Sequence, residues 1–306
     1  MSAKASQAQA EAASPAPSHV GLLAAVLRTA RPRQWPKNLL VFAAPLAADS
    51  LGRGHRIGDA FVALAAFILA SSAVYFVNDV IDAEKDKVHP LKRYRPIAAG
   101  LLPKPCAWAV AACCAIAAVA LGLAVGRPGL SAVVATYLSL SLLYSLRLKQ
   151  VPFLELLLVA SGFTLRALGG AIATSVPPSR WFLTVCSLGA LLVAVAKRSC
   201  ELRLLGPDKV RHRPVLRFYT PAGLQLAQRV LAAAMLVAYV FWALGDHTMW
   251  MRSWHLASTL PLAAALVRFD RLAARPTAMP IEDLLSRDVA MLWCEAAWLA
   301  LFVVGL

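Results

Sequence analysis

Residues 59–86 read DAFVALAAFILASSAVYFVNDVIDAEKD. The stretch 60–77 contains no charged side chain and approaches the roughly 20 apolar residues that carry a helix across a bilayer. It ends in Asn78-Asp79-Val80-Ile81-Asp82-Ala83-Glu84-Lys85-Asp86, and the basic run Lys92-Arg93-Tyr94-Arg95-Pro96 follows at once. Carboxylates at the mouth of an apolar helix are costly in isolation. With a basic loop beside them, they point to a magnesium-bridged diphosphate and to an enzyme working at a membrane face.

Working outward, the same apolar texture fills the chain. Of its 306 residues, 59% are hydrophobic and only 15% charged, against about 25% charged in a soluble domain. Mean hydropathy is +0.64. The composition predicts an all-α, polytopic membrane protein. Nine spans can be drawn, at 36–50, 59–82, 105–125, 129–146, 152–174, 181–203, 225–245, 253–269 and 287–305. The first is broken by Pro36 and Pro45, and the amphipathic stretch 20–31 before it suits the membrane interface. Residues 1–19, rich in Ala, Ser, Gln and Pro, lack a signal peptide pattern and are expected to form a disordered cytoplasmic tail. The catalytic domain is then 20–306.

The net charge of +15 is unevenly placed. With the N-terminus inside, the inner segments hold 24 lysines and arginines and the outer loops hold 5. This is a positive-inside signal. It predicts a multi-pass protein of the inner (plasma) membrane with its polar chemistry on the cytoplasmic face, and it argues against nucleic acid as a partner. The six cysteines form no CxxC pattern and read as small buried hydrophobes.

On a helix, Asp79, Asp82 and Asp86 fall at i, i+3 and i+7, on one face, while Glu84 points elsewhere. Like charges stacked in this way destabilise a helix unless a cation neutralises them. Mg²⁺ is typically held by one or two carboxylates plus phosphate oxygens. A solvated helix end with ordinary acids needs neither this spacing nor the basic cluster. In that cluster the arginine forks of Lys92-Arg93-Tyr94-Arg95 suit phosphate.

Lys197-Arg198-Ser199-Cys200-Glu201 forms a second basic patch, where a helix ion pair between Lys197 and Glu201 is the plain alternative. The segment Arg31-Pro32-Arg33-Gln34-Trp35-Pro36-Lys37-Asn38 reads as a headgroup anchor, with Lys37 and Asn38 able to face a substrate as well. Glu155 and Arg166 are ionisable residues inside a span. They share a helix face but lie about 16 Å apart at 1.5 Å per residue, too far to pair with each other. Each needs another partner, which a substrate cavity would supply. Glu282, Asp283 and Asp288 suit capping of the last span. Beyond His89 and His212 there is no obvious general base.

Together, Asn78-Asp79-x-x-Asp82-x-x-x-Asp86, Lys92-Arg93-x-Arg95-Pro96 and Gly100 resemble the first signature of the UbiA prenyltransferase superfamily. The resemblance implies nine transmembrane helices around a central cavity and an Mg²⁺-bound diphosphate at the cytoplasmic side. Usual members carry a second DxxxD motif after the sixth span. Here that region reads Lys197-Arg198-x-x-Glu201, which resembles instead the decaprenyl-phosphate phosphoribosyltransferase branch. Arg31-Pro32-Arg33-Gln34-Trp35-x-Lys37-Asn38, His89-Pro90-x-Lys92-Arg93-x-Arg95-Pro96-Ile97-Ala98-Ala99-Gly100 and Glu282-Asp283-x-x-x-Arg287-Asp288 match that branch as well.

What the branch implies is transfer of 5-phosphoribose from phosphoribosyl diphosphate (PRPP) to a polyprenyl (decaprenyl) phosphate, releasing pyrophosphate. In the family this lipid feeds arabinose donors for cell-wall polysaccharide. Asp79 and Asp82 would be the catalytic carboxylates, within a metal-binding set of Asn78, Asp79, Asp82 and Asp86. Lys37, Asn38, Lys92, Arg93, Arg95, Lys197, Arg198 and Glu201 would contact PRPP. Lys149 and Arg166 would hold the acceptor phosphate. The bilayer is the third partner, and a homo-oligomer is allowed. The rival readings are a UbiA-type aromatic prenyltransferase, which favours a second acidic site, and a non-enzymatic transporter, which favours charges near the midplane or inverted repeats.

Overall fold

The structure, a computed structural model, describes residues 19–48, 56–89, 91–205, 214–245, 248–275 and 281–306. Residues 1–18 of the tail expected at 1–19 lie outside the described residues, while His19 already begins the first helix; Pro90, His212 and the side chains of Glu282 and Asp283 also lie outside them. Among the described residues every regular element is helical. In chain order these are α1 (His19–Ala30), a 3₁₀ segment (Pro32–Phe42) running into α2 (Ala43–Ala47), α3 (Arg56–Ile81) and α4 (Ala83–Lys87). A short 3₁₀ turn (Lys92–Tyr94), α5 (Lys104–Ala124), α6 (Pro128–Leu146) and a second 3₁₀ turn (Leu148–Gln150) follow. Then come α7 (Leu154–Ala173), α8 (Arg180–Leu205), a 3₁₀ turn (Pro214–Phe218), α9 (Pro221–Ala243), α10 (Met249–Ala273), α11 (Ile281–Arg287) and α12 (Val289–Val304).

The all-α membrane architecture is as expected, but the number of spans is not settled at nine. Six helices, α3 and α5–α9, are long and apolar enough to cross a bilayer among the described residues. The other three expected spans differ for identifiable reasons. The first is a 3₁₀ helix containing Pro36, followed by only five α-helical residues. Proline removes a backbone donor and breaks the i to i−4 ladder. The eighth, α10, carries Arg252, Arg268, Asp270, Arg271 and an internal Pro261. The ninth, α12, has 16 residues, about 24 Å of helix against a hydrocarbon core of roughly 30 Å. Apolar side chains that face outward, such as Ile116, Leu123 and Leu260, are what lipid-facing helices require.

The chain groups into two compact units, one of residues 1–35 with 71–116 and one of residues 36–70 with 117–306. In the first unit, Ala25 and Ala30 of α1 pack with Phe76, Val80, Ala83, Ile97, Leu102, Ala107 and Ala111. Leu23 and Leu27, on the opposite face of α1, stay exposed. In the second unit α6, α7, α8 and α9 pack in sequence, and α10 packs on α12. Here Gly169 and Gly170 on α7 allow close approach. A Cβ on Gly170 would stand 1.8 Å from the Val41 carbonyl oxygen, and one on Gly169 would stand 2.5 Å from the Phe67 ring. Only hydrogen atoms let the 3₁₀ segment lie this close to α7.

Asp288 caps α12: its carboxylate accepts from the Met291 N–H at 2.9 Å and pairs with both Arg268 nitrogens Nε and Nη2. The capping expectation for this residue therefore holds. No disulfide links the six cysteines, but they are not the buried hydrophobes expected: Cys106 and Cys113 are exposed and the other four half-buried.

Candidate functional site

In the first unit the acidic row does not lie on one unbroken helix. α3 ends at Ile81 and α4 restarts at Ala83, with Asp82 at the joint (φ −89°, ψ 2°). Asp82 N–H still donates to Asn78 O at 2.9 Å and Asp86 N–H to Asp82 O at 2.8 Å. The i to i−4 register therefore survives the joint and keeps Asp79 and Asp86 on the same side. Both are buried, whereas Asn78 and Asp82 are half-buried. Glu84 points away, as its position requires. It is exposed and bonded to Lys104 and Lys87 at 2.9 Å each. The Lys104 hydrogen bond first, then that of Lys87, pulls its carboxyl down to about 2.

Asp79 and Asp86 are joined by arginines. Arg95 Nη1 donates to Asp79 Oδ1 at 3.1 Å and to Asp86 Oδ2 at 2.7 Å. Asp79 Oδ1 also accepts from Arg31 Nη2 at 2.5 Å. Arg31 was not among the expected site residues, because its Arg-Pro-Arg-Gln-Trp neighbourhood reads as a headgroup anchor. The available signal was its place at the end of an amphipathic helix, three residues before Gln34-Trp35. Its backbone sits in the left-handed region (φ 55°) and its guanidinium lies over Tyr75, 4.8 Å from the ring centroid. The remaining basic residues of the loop lie further out. Lys92 is exposed, and Arg93 stacks on its own neighbour Tyr94 while donating to its hydroxyl at 2.7 Å. His89 is no general base in this arrangement, since its Nδ1 accepts the Leu91 and Lys92 backbone N–H groups at 3.2 and 3.3 Å.

The donor set can be tested against a metal. Among the described residues no three His, Cys, Asp or Glu side chains converge on one point. A structural zinc or an all-protein calcium cage needs more ligands than that. Two carboxylate oxygens facing a single guanidinium nitrogen do suit Mg²⁺, which takes one or two carboxylates and completes its shell with phosphate oxygens and water. The residues therefore fit Mg²⁺ delivered with a diphosphate, with Asp79 and Asp86 as the holders.

In the second unit the intramembrane charges find protein partners, which corrects the expectation that a substrate cavity supplies them. Buried Glu155 accepts from Arg198 Nε at 2.6 Å, and Arg198 Nη1 reaches Glu201 at 2.8 Å. Tyr219 completes this chain, donating to Glu155 at 3.4 Å and accepting the Phe153 N–H at 2.8 Å. The two carboxylates compensate Arg198, so it is not the open cation that the expected contact with PRPP calls for. On α8, Arg198 pairs with Glu201 at i, i+3.

Arg166 is likewise enclosed. Nε donates to Asn38 Oδ1 at 2.7 Å, Nη1 to Gly162 O at 2.7 Å and Nη2 to the Tyr137 hydroxyl at 3.0 Å. Tyr137 also presents its ring 4.7 Å away. With one hydrogen bond from each of its three nitrogens and 6% of the residue exposed, Arg166 ties the 3₁₀ segment and α6 to α7. Asn38 is buried in the same tie. Lys37, Lys149 and Lys197 are half-buried. The second unit also contains a half-open apolar cavity of about 520 Å³, walled by Phe163, Phe182, Met235, Trp242, Trp298 and Phe302 among others.

Comparison with known proteins agrees with this picture. The profile of the UbiA prenyltransferase family matches residues 39–282. A decaprenyl-phosphate phosphoribosyltransferase of Mycobacterium tuberculosis is 37% identical over 290 residues, covering 91% of this chain and 93% of the relative. One of Corynebacterium glutamicum is 34% identical over 291 residues, covering 91% and 87%. A UbiA homologue from Archaeoglobus fulgidus, solved with GPP and Mg²⁺, superposes with a TM-score of 0.71 at 14% identity, over 92% of this chain and 98% of the other. At that identity the likeness speaks for the fold alone.

Proposed function

The chain belongs to the UbiA prenyltransferase family, and from that premise we propose that it transfers 5-phosphoribose from PRPP to a polyprenyl phosphate, releasing pyrophosphate. One observation carries the reading on the side of the molecule itself. Asp79 and Asp86 face a common arginine, with the basic loop beside them, a combination that suits a diphosphate accompanied by Mg²⁺. The names of the relatives supply the phosphoribosyl group and the decaprenyl phosphate.

In the reaction, the bond from ribose C1 to the diphosphate oxygen breaks and one from C1 to an acceptor phosphate oxygen forms. When bound, Mg²⁺ stabilises the negative charge that builds on the leaving pyrophosphate. Asp79 and Asp86 would hold it, and Arg95 has the fork geometry to contact phosphate oxygens. Lys92 and Arg93, further out on the loop, add positive charge for the same anion. A phosphate monoester with a second pKa near 6 is already largely dianionic at neutral pH. The acceptor therefore needs positioning rather than deprotonation, and a base such as His89 is not required. Lys37, Lys149 and Lys197 are the candidates for further phosphate contacts, with Glu201 and Arg198 shaping the region around Lys197. Arg166 and Asn38 act through packing. The apolar cavity in the second unit has the chemistry of an isoprenoid tail, not of a sugar phosphate. The positive-inside charge pattern supports reading this chemistry at the cytoplasmic face of the inner membrane.

The test is direct. Membranes containing the protein are incubated with labelled PRPP, Mg²⁺ and polyprenyl phosphate, and label is expected in the lipid phase. No label there, together with prenyl transfer from an isoprenyl diphosphate to a phenolic acid, would establish the aromatic prenyltransferase instead.

A further inference from the structure

We propose that Arg31 is an exchangeable counter-ion. It holds Asp79 while no metal–diphosphate is bound, and it turns to the diphosphate when one arrives. This rests on the metal–diphosphate reading above and adds a residue to it.

The geometry around a single oxygen carries the argument. Asp79 Oδ1 accepts from Arg31 at 2.5 Å and from Arg95 at 3.1 Å. A magnesium ion on that oxygen would sit at about 2.0–2.1 Å, in the space and field the two guanidinium groups now occupy. Metal and arginines therefore compete for the same lone pairs. Arg95 has a second carboxylate, Asp86, at 2.7 Å, and stays tethered when displaced. Arg31 has no second carboxylate among the described residues. Its side chain is 30% exposed, with the guanidinium 4.8 Å from the Tyr75 ring centroid. Once released, it is a partly exposed guanidinium next to a bound diphosphate, which is the anion its fork fits best.

The backbone adds a second, independent observation. Arg31 holds φ 55° between α1 and the 3₁₀ segment. That conformation is routine for glycine and tolerated by asparagine, but rare for other side chains. A residue whose only task was to end α1, or to sit as a cation at its C-terminus, would not need arginine here. Its side-chain contacts with Asp79 and Tyr75 account for the choice. Exchange of this kind also couples the two ligands. Free metal must displace an arginine that then has only water to turn to, whereas metal arriving with a diphosphate provides the arginine with a charged partner.

The experiment measures Mn²⁺ binding to the full-length purified protein by electron paramagnetic resonance, with and without inorganic pyrophosphate. Arg31→Asn accepts the left-handed backbone and removes the guanidinium. The expected result is a change of opposite sign in two affinities. Mn²⁺ alone binds more tightly, because its competitor is gone. Mn²⁺ with pyrophosphate binds about tenfold or more weakly, the loss of one charged hydrogen bond. Arg31→Lys should fall between, since it keeps the charge without the fork. Local damage to the fold would weaken both affinities together. That outcome, or no change in either, overturns the exchange while leaving the diphosphate site standing. If the unmodified protein binds no Mn²⁺–pyrophosphate at all, the functional reading fails, and the exchange fails with it.

Discussion

Gly170→Ala puts the closest approach in the second unit to a quantitative test. The added methyl would lie 1.8 Å from Val41 O, 2.5 Å from its carbonyl carbon and 2.7 Å from its Cα, where ordinary contact begins near 3.4 Å. The obstacle is backbone, so no rotamer change relieves it. α7 and the 3₁₀ segment must separate by about 1.6 Å, the difference between the ordinary and the imposed distance. Asn38 belongs to the same 3₁₀ segment, and its 2.7 Å bond from Arg166 Nε would be pulled beyond hydrogen-bond range. Overpacking alone costs about 1–3 kcal/mol, and a lost bond to a charged group costs about 1.5–3 kcal/mol. The variant should lose at least roughly 3 kcal/mol. Gly58→Ala is the control, since nothing lies within 4 Å of the new Cβ in the first turn of α3. There the change should stabilise by about 0.5–1 kcal/mol, through the conformational entropy of glycine. The assay is thermal unfolding of the purified protein in detergent, with Asn38→Ala and the double variant completing a cycle. If the clash acts through Asn38, the two losses are less than additive. Equal melting temperatures for Gly170→Ala and Gly58→Ala would refute the reasoning, and full additivity would refute the route through Asn38.

Asp79→Asn keeps shape and one acceptor oxygen but removes the charge, so turnover in the PRPP assay should fall by at least about a hundredfold while the protein still folds, as a retained cooperative thermal transition checks. Near-normal activity would remove Asp79 from the metal set. Glu155→Ala leaves Arg198 buried with only the half-exposed Glu201, and should cost about 3–5 kcal/mol in thermal unfolding. Pairing it with Arg198→Met should recover much of that loss, and a failure to recover would mean the pair is not coupled. The Glu84 carboxyl is held at about 2, below its ordinary 4.5, by Lys104 and Lys87. A depressed folded-state pKa means its contribution is fully present above about pH 4.5 and is lost as pH falls toward 2. The small stability gap between the protein and Glu84→Gln should close over that window and shrink with added salt. A gap insensitive to pH would contradict the assignment.

Much of the membrane character was legible along the chain, because bilayer thickness and charge asymmetry act on consecutive residues. The span carrying the acidic row, the apolar runs that became α5–α9 and the outward orientation of Glu84 all follow from local spacing. Prolines and charges blurred the count of spans in the first, eighth and ninth segments, where length and apolarity fall short among the described residues. The acidic row with its basic loop was equally readable, since its members lie within one short stretch.

What remained hidden was who neutralises whom. Arg31 meets Asp79 across 48 residues, Arg198 meets Glu155 across 43, and Arg166 meets Asn38 across 128. Sequence alone identified Glu155 and Arg166 as charges in need of partners, because an ion in a low-dielectric interior is costly wherever it occurs, and it read Arg198 as a substrate contact. It could not choose between a substrate and a protein group as that partner, because the choice depends on which side chain a distant helix delivers within about 3 Å. Tertiary packing made that choice. It closed Arg166 and Arg198 inside the second unit, and in the first it drew Arg31 from the membrane-anchor reading onto the carboxylate at the centre of the acidic row.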